Sequence, residues 1–315
     1  MIIAADIGGT STRLALADQS GEVKAQRDYA SRAHDSLEAI LRRFLADHDL
    51  DPAKVSRLVL ALAAPLTGDC VKLTNLPWEL CRDSLRRIFP GAGVDFINDF
   101  QAAALGALAA DEDGLLVIQD RPRDPEGRRL ALGAGTGMGV AYLHPAHGGF
   151  HPWPTEAGHM SFAPASEGEW RLLRHLQKRF GRVSWERVLS GPGLANLYGF
   201  LSGGEASPEP PAIIDAANAG SDPLAVEALE LFSALYGRYC GDLALAWQPC
   251  GGIYLLGGVT THITGWLRRP PFLEAYGDKG RMSALVNRYP IHVVMTPGAG
   301  LLGAIRHALQ TQVKS

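Results

Sequence analysis

A chain of 315 residues, 46% of them hydrophobic, is long enough to form two domains of ordinary size with buried cores. A formal net charge of −3, without a block of basic residues, indicates that nucleic acid is not a partner. No apolar run approaches the roughly 18 residues of a membrane span, and no charged leader precedes the first strand, so we expect a cytoplasmic protein with no membrane partner.

The first residues predict a β-hairpin with a glycine turn. An apolar run reaches Asp6, the pair Gly8-Gly9 follows, and an alternating segment returns at residues 13–17. A glycine turn leaves several backbone N–H groups pointing into one concavity, which suits phosphate oxygens. The carboxylate of Asp6 would repel a bare phosphate, so it makes most sense holding Mg²⁺ that travels with one. On this segment alone, an ordinary hairpin in which Asp6 ends a strand is an equal interpretation.

The rest of the first half alternates strands and helices, as in an α/β domain. The predicted elements are strands over 22–29, 57–63 and 94–97, a short strand leading into 74, and helices over 37–48, 79–88 and 101–110.

A second glycine hairpin belongs to the other half of the chain. Residues 130–143 repeat the apolar flanks of the first hairpin, and Gly135-Thr136 falls on Gly9-Thr10. The repeat predicts two similar domains that face one another and grip a polyphosphate with their turns. The further predicted elements are strands over 115–118, 253–256 and 291–295, helices over 167–180, 193–201, 212–219, 223–247 and 301–309, polar loops over 154–159 and 184–187, and a mobile, turn-rich stretch over 203–211.

The last predicted helix is long enough to return to the first domain. This return predicts a small domain of residues 1–109 with 300–315, a large domain of residues 110–299, and hinges near 110 and 299.

The four cysteines are far apart in the sequence and show no C-x-x-C spacing. They are not expected to form a zinc site, and in a chain of this size they are predicted to be buried thiols rather than a disulfide framework. These residues are Cys70, Cys81, Cys240 and Cys250.

Asn98 and Asp99 follow a predicted strand, at the kind of position where α/β sheets bind ligands. A carboxylate on a rigid strand-to-helix junction can accept a proton from a hydroxyl nucleophile. A helix N-cap is the alternative, and position alone favours the cap.

The polar loops of the second half carry Glu156, His159 and Glu186, with glycines close by that indicate rigid surroundings. Carboxylates and imidazole can each hold the hydroxyls of a polyhydroxylated ligand, and Asn75 can add a polar group from the first domain. Solvated loop charges are the alternative, and a lone histidine such as His159 is more often structural than functional.

Taken together, these segments resemble the bacterial glucokinases, which belong to the sugar kinase, actin and Hsp70-like ATPase superfamily. The likeness follows the chain in order from Met1 to about His307. It implies an α/β fold of two actin-like (ribonuclease H-like) domains, with ATP and glucose in the cleft between them. The motifs that carry it are D-I-G-G-T at 6–10, I-N-D-F at 97–100, G-A-G-T-G-M-G at 133–139, E-A-G-H at 156–159 and L-S-G-P-G at 189–193.

The resemblance also implies roles for single residues. Asp99 would be the base on the 6-hydroxyl of the sugar. The residues that would hold the other sugar hydroxyls are Asn98, Glu156, His159 and Glu186. The residues that would surround the nucleotide are Gly8, Gly9 and Thr10 in one phosphate loop, Gly135, Thr136 and Gly137 in the other, and Gly257 and Gly258 on the adenosine side.

One departure concerns the related ROK kinases and repressors. These proteins usually carry a cysteine-rich zinc motif after the E-x-G-H histidine, whereas no cysteine follows His159 until Cys240, so zinc is not expected here. ROK repressors also begin with a DNA-binding helix-turn-helix, and this chain begins with the phosphate hairpin.

The sequence therefore predicts an ATP-dependent hexose kinase of the non-ROK glucokinase kind, which uses Mg²⁺, phosphorylates glucose at the entry to glycolysis and forms a homodimer. The alternatives are a kinase for mannose, fructose or an acylated hexosamine, and a non-catalytic sugar sensor on a kinase fold.

Overall fold

The computed structural model describes residues 1–312 except 65, 67, 74, 109–111, 147–148 and 205–207. Three predictions fall wholly or partly outside the described residues. They are the end of the helix predicted over 101–110, the hinge near 110 and the centre of the stretch predicted to be mobile. The chain divides into two compact units. The first comprises Met1–Asp111, Ala146–Pro152 and Thr296–Ser315, and the second comprises Glu112–Pro145 and Trp153–Met295. The domains predicted from the sequence, residues 1–109 with 300–315 and residues 110–299, stay a prediction.

The first unit is built on a sheet with the strand order β3-β2-β1-β4-β7. A two-stranded ribbon of β5 and β6 accompanies it. Its strands are β1 (Ile2–Ile7), β2 (Ser11–Ala17), β3 (Val23–Ala30), β4 (Arg57–Leu62), β5 (Cys70–Lys72), β6 (Glu79–Cys81) and β7 (Gly93–Asn98). Its helices are α1 (Leu37–Asp47), α2 (Arg82–Ile88), α3 (Asp99–Ala107) and α12 (Ala299–Gln312).

The predicted first hairpin is confirmed. β1 and β2 pair antiparallel, with Ile2 opposite Ala17 and Ile7 opposite Thr12. The turn closes through the backbone N–H of Gly8, which donates to the carbonyl of Ser11 at 2.9 Å. β1 and β4 are almost entirely buried, which explains why their sequences are apolar without alternation.

Two expectations for residues 70–81 are wrong. Residues 79–81 form β6 instead of the first turn of a helix, because they pair antiparallel with β5. The register places Cys70 directly opposite Cys81, and the two are joined by a disulfide, not left as buried thiols. Cys240 and Cys250 are free, as predicted, but only Cys240 is buried.

The C-terminal helix α12 lies in the first unit, where it packs against α3, β1 and β4. The approach is close, because a Cβ on Gly106 or Gly303 would clash with backbone atoms of the facing helix. Small residues at these positions allow the two helices to meet.

The second unit contains a sheet whose strands run in the order β10-β9-β12-β13-β8. The strands are β8 (Leu115–Gln119), β9 (Arg129–Ala134), β10 (Met138–Ala146), β12 (Ile253–Leu256) and β13 (Ile291–Val294), while β11 (Gly149–Pro154) spans the boundary between the units. The helices are α4 (Glu167–Phe180), α5 (Gly191–Leu201), α6 (Pro210–Ala219), α7 (Pro223–Trp247), α8 (Gly258–His262), α9 (Thr264–Leu267), α10 (Pro270–Gly277) and α11 (Ser283–Val286).

The second predicted hairpin is also confirmed, since β9 and β10 pair antiparallel with Ala134 opposite Met138.

The core of this unit is organised around α7, which contributes thirteen buried residues, among them Phe232, Tyr236 and Tyr239. The interpretation of these rings as core residues is therefore confirmed. The predicted bounds of α4, α7 and β12 agree with the structure.

Candidate active site

The strand ends of the first unit bring three predicted segments to one edge of its sheet. β1 pairs parallel with β4, and β4 pairs parallel with β7. Ile7, Leu62 and Asn98 lie in one row across the three strands. Asp6, the turn at residues 8–10 and the Asn98-Asp99 pair therefore share the carboxyl edge, which is where open α/β sheets bind ligands.

Asn98 is the N-cap of α3. Its Oδ1 accepts from the backbone N–H groups of Phe100 at 3.0 Å and Gln101 at 3.2 Å. Asp99 is the first residue of the helix, and its Oδ1 accepts from the same Phe100 N–H at 2.8 Å. The cap interpretation thus applies to Asn98, and the Asp99 carboxylate is half-buried and held at a rigid strand-to-helix junction.

Asp6 lies next to the end of β1 in a largely desolvated position. Burial raises the pKa of its carboxyl above the ordinary value of 3.8, the nearby Arg13 lowers it, and Asp28 raises it. Gly300 approaches this carboxylate so closely that a Cβ there would lie 2.9 Å from Oδ2. A desolvated carboxylate gains from a cation, and Mg²⁺ is commonly held by one carboxylate together with substrate phosphates, so Asp6 fits this role.

The first glycine turn is supported from both sides. The buried Ser31 hydroxyl donates to the Gly8 carbonyl at 2.9 Å and lies 3.0 Å from the Thr12 hydroxyl. On the other side, a Cβ on Gly9 would lie 2.9 Å from the Cβ of Asn75, which fills the space that a side chain would need. Asn75 itself is exposed, at the end of the β5–β6 ribbon.

The second glycine turn is also closed by a backbone hydrogen bond, although it is one residue shorter than the first. Its Gly135 N–H donates to the Gly137 carbonyl at 2.9 Å, and the Gly191 N–H donates to the Gly135 carbonyl at 2.7 Å. β9 and β12 are parallel neighbours, which brings the turn near Gly257 to the same edge of the sheet. Gly257 has a φ of +97°, and a Cβ there would clash with the Ala134 carbonyl oxygen, so the position requires glycine.

Glu186 links the second glycine turn to the polar loops. Its Oε2 accepts from the Met138 N–H at 3.1 Å and lies 2.6 Å from where a Cβ on Gly137 would be. Its Oε1 lies 4.0 Å from His159 Nδ1, and His159 Nε2 lies 4.0 Å from Glu156 Oε2. The side chains of His159 and Glu156 are 57% and 81% exposed, so both can reach a ligand.

These loops are short helical turns rather than irregular coil. Ala157–His159 and Trp185–Arg187 each form a 3₁₀ turn. The Glu186 carbonyl accepts from the Ser190 hydroxyl at 2.8 Å, and Ser190 caps α5 by accepting from the Gly193 N–H at 3.0 Å. The polar side chains are therefore held by backbone structure on both sides.

A cavity of about 730 Å³ lies beside the second glycine turn. It brings Gly135 and Thr136 together with Gly258, three of the residues predicted to surround the nucleotide. The other residues around it come from α4, α5, the start of α6 with the two residues before it, and α8, namely Arg179, Gly191, Pro192, Ala195, Asn196, Pro208, Glu209, Pro210 and Val259.

Several residues around the cavity and around Asp6 were not predicted from the sequence. Arg179 and Asn196 face one another from two helices, joined by a hydrogen bond of 3.2 Å. Arg179 lies on the polar face of an amphipathic helix and Asn196 on a largely apolar helix, so no local signal marked either residue. Gly300 belongs to a glycine-rich segment at residues 298–303, and that pattern is the one sequence signal that could have indicated a close approach.

Over the described part of the chain, no helix is both long and apolar enough to cross a membrane. A glucokinase from an Antarctic psychrotroph has a similar structure, with a TM-score of 0.88, 30% sequence identity and 98% of each chain covered. The mixed α/β fold and this likeness define the class, which is the sugar kinases of the actin-like ATPase fold.

Curated relatives and a family model narrow the class further. The glucokinase of Marinobacter nauticus is 40% identical over 304 residues, which cover 95% of this chain and 94% of the relative. The glucokinase of Synechocystis is 36% identical over 347 aligned positions, with 98% of both chains covered. The family model described as Glucokinase matches residues 3–311. The chain belongs to the glucokinase family, which confirms the resemblance found in the sequence.

Proposed function

We propose that this enzyme transfers the γ-phosphoryl group of ATP to the 6-hydroxyl of D-glucose, giving glucose 6-phosphate and ADP. Membership of the glucokinase family over nearly the whole chain supports the activity. The observation that carries the mechanism is the position of Asp99, at the same carboxyl edge of the first sheet as the first glycine turn.

In this proposal, Asp99 accepts the proton of the sugar hydroxyl while the hydroxyl oxygen attacks the γ-phosphorus of ATP. A hexose hydroxyl is a weak nucleophile, and a positioned carboxylate both orients it and takes up its proton. The Asn98 cap and the Phe100 N–H fix the backbone at this point, so the carboxylate is held in place before the sugar arrives.

The other sugar hydroxyls are assigned to a set of polar side chains. Glu186 and His159 are mutually placed by the turn at Gly137–Met138, and Glu156 extends the group toward solvent. Carboxylates and an imidazole accept or donate hydrogen bonds in fixed directions, which suits discrimination between hydroxyl orientations. The residues proposed to bind the sugar are Asn75, Asn98, Asp99, Glu156, His159 and Glu186.

The nucleotide is assigned to the glycine turns and the adjacent cavity. Backbone N–H groups of Gly8, Gly9, Thr10, Gly135, Thr136 and Gly137 would bind phosphate oxygens, with Gly257 and Gly258 on the adenosine side. Asp6 would hold Mg²⁺, which supplies neutralising charge on the phosphates when bound. Positioning and charge stabilisation account for most of the catalysis of phosphoryl transfer. This set of residues would supply both contributions.

We also propose that the enzyme works in the cytoplasm at the entry to glycolysis, as a homodimer and without nucleic-acid or membrane partners. Its membership of the glucokinase family is the support. Light scattering coupled to size-exclusion chromatography tests the dimer, because a mass near 33.7 kDa would show a monomer.

A panel of hexoses in a coupled ADP-release assay tests the activity. We expect the highest kcat/KM with glucose, and lower values with mannose, fructose and N-acetylglucosamine. A preference for another hexose would reassign the substrate. A complete lack of sugar-dependent ADP release would make the protein a sugar sensor on a kinase fold.

A further inference from the structure

A second cavity, of about 670 Å³, opens in the second unit at the opposite edge of its sheet from the Gly135 turn. β12 and β13 begin at this edge, with Ile253 opposite Ile291, and the antiparallel β8 ends there at Gln119. The residues around this cavity, here called the arginine cavity, are Arg121, Pro122, Arg123, Asp124, Cys250, Leu285, Asn287, Arg288 and Tyr289.

The charge of the arginine cavity is strongly unbalanced. Three guanidinium groups and one carboxylate surround it. None of the three arginines lies within ion-pair distance of a carboxylate among the residues that the structure describes. Uncompensated guanidinium groups around one concavity attract anions, because each offers several N–H donors in a planar fork.

One of these guanidinium groups is already oriented by the backbone. Arg121 donates from Nε to the Asn287 carbonyl at 2.8 Å and from Nη1 to the Asp120 carbonyl at 2.6 Å. Two fixed donors hold the plane of the group while Nη2 keeps its N–H groups for another partner. A guanidinium fixed in this way loses less side-chain entropy when an anion binds.

Arg123 is also oriented by a neighbouring side chain. It donates to the Tyr254 hydroxyl at 3.4 Å, and the Tyr254 ring stacks on His292 at 5.8 Å. Burial lowers the pKa of His292, the charge of Arg123 lowers it further, and Asp120 opposes both effects.

Leu285 and Tyr289 form an apolar part of the cavity wall. A site that combines several guanidinium groups with an apolar wall suits a small organic phosphate rather than a bare inorganic ion. We propose that the arginine cavity binds a small phosphate ester, through Arg121, Arg123 and Arg288.

The structure supplies a reporter for this site, because Cys250 lines the cavity and is a free thiol. Cys240, the other free cysteine among the described residues, is completely buried, and Cys70 and Cys81 are joined in a disulfide. A neutral alkylating reagent such as iodoacetamide therefore labels Cys250 selectively. A ligand in the cavity slows this labelling in proportion to its occupancy.

The experiment measures the rate of Cys250 alkylation by mass spectrometry as glycerol 3-phosphate is increased, with inorganic phosphate in parallel. We expect the rate to fall about tenfold when the ester reaches ten times its dissociation constant. Stronger protection by the ester than by phosphate is the expected order, because only the ester contacts the apolar wall. A rate that stays unchanged up to about 20 mM of either probe would overturn the proposal.

A matched pair of variants assigns any protection to the arginines. Arg123→Gln/Arg288→Gln removes two exposed charges at the rim and should abolish protection. Arg281→Gln removes an exposed arginine of the same unit outside the cavity and should leave protection intact. Protection that persists in the double variant would contradict the proposal. Both variants should keep their circular dichroism, and both should phosphorylate glucose as the unmodified enzyme does, since neither touches the glycine turns or Asp99.

Discussion

Asp99 follows the Asn98 cap directly, and both side chains accept from the same Phe100 N–H. The structural and the proposed catalytic roles at this junction can therefore be separated by substitution. Asn98 accepts from two N–H groups of the first turn of α3, whereas Asp99 shares the first of them and adds a charge.

Asp99→Asn should bind glucose within about tenfold of the unmodified enzyme, while kcat falls by at least ~10². An amide keeps the shape and the hydrogen-bonding ability of the carboxylate, but it cannot take up a proton. The free energy of unfolding should change by less than about 1 kcal/mol, the usual worth of a charge at a helix N-terminus. Steady-state kinetics, glucose titration calorimetry and urea unfolding measure the three quantities.

Asn98→Ala is the stability control for this variant, with an expected loss of roughly 0.5–2 kcal/mol because the cap is removed. If Asp99→Asn turned over at the normal rate, the base would have to be another residue.

Asp6 carries a charge that its surroundings disfavour. Since its pKa is raised in the folded protein, mainly by burial, the folded state prefers the protonated carboxyl. Without ligands, the contribution of Asp6 to stability should therefore fall as pH rises from about the unfolded value of 3.8 through the raised pKa, and then level off.

Asp6→Asn should lack this pH-dependent loss and be at least as stable as the unmodified protein at pH 7 in the absence of nucleotide. Its kcat/KM for ATP should fall at least about tenfold, because the amide holds Mg²⁺ poorly. Urea unfolding between pH 4 and 7 and initial rates at varied Mg²⁺ measure these effects. Lower stability at pH 7 together with unchanged activity would show that Asp6 only ends a strand.

Among the secondary elements, the β5–β6 ribbon carries a disulfide between its strands and contacts the first glycine turn with its other end. The Cys70–Cys81 disulfide joins its strands, and its far end carries Asn75 against Gly9. A crosslink between residues 11 apart restricts the unfolded chain, so it stabilises the folded ribbon.

Reduction by a phosphine should lower the free energy of unfolding of the first unit by about 2–3 kcal/mol, the amount expected for a loop of this size. Urea unfolding with and without the reductant measures it. The variant Cys70→Ser/Cys81→Ser should already be destabilised and should not respond to reductant. Identical transitions for the unmodified protein in both conditions would mean that the disulfide contributes nothing.

Considered as a whole, the molecule has two compact units, each with its own hydrophobic cluster. A ligand that binds only the folded protein stabilises it by about 2.7 kcal/mol at one hundred times its dissociation constant. Glucose should therefore raise the melting temperature by several degrees.

Differential scanning fluorimetry measures this shift, with sorbitol at equal concentration as the control for unspecific effects. His159→Ala should show a smaller shift and a higher KM for glucose, since losing one buried polar contact typically costs ~1–3 kcal/mol. A glucose shift no larger than that of sorbitol would count against the proposed sugar site.

Most of the regular elements were predictable because their signals are local. The hairpins at Asp6 and Ala134 follow from apolar runs interrupted by glycine, and α7 follows from helical periodicity between Pro223 and Trp247. The motifs around these elements were sufficient to indicate the family. The short helices between Gly258 and Val286 were missed, because segments of four to eight residues carry too little periodicity.

What only the tertiary structure decided are the pairings between segments that are distant in sequence. β6 is a strand because β5 lies beside it, and that pairing turns two cysteines into a disulfide. The approach of Gly300 to Asp6 and the meeting of Arg179 with Asn196 depend on how helices pack. The sequence by itself determined the local elements and the motifs at their ends, since both depend on neighbouring residues. Cavities and side-chain environments came from packing, because their walls are contributed by residues that no local pattern connects.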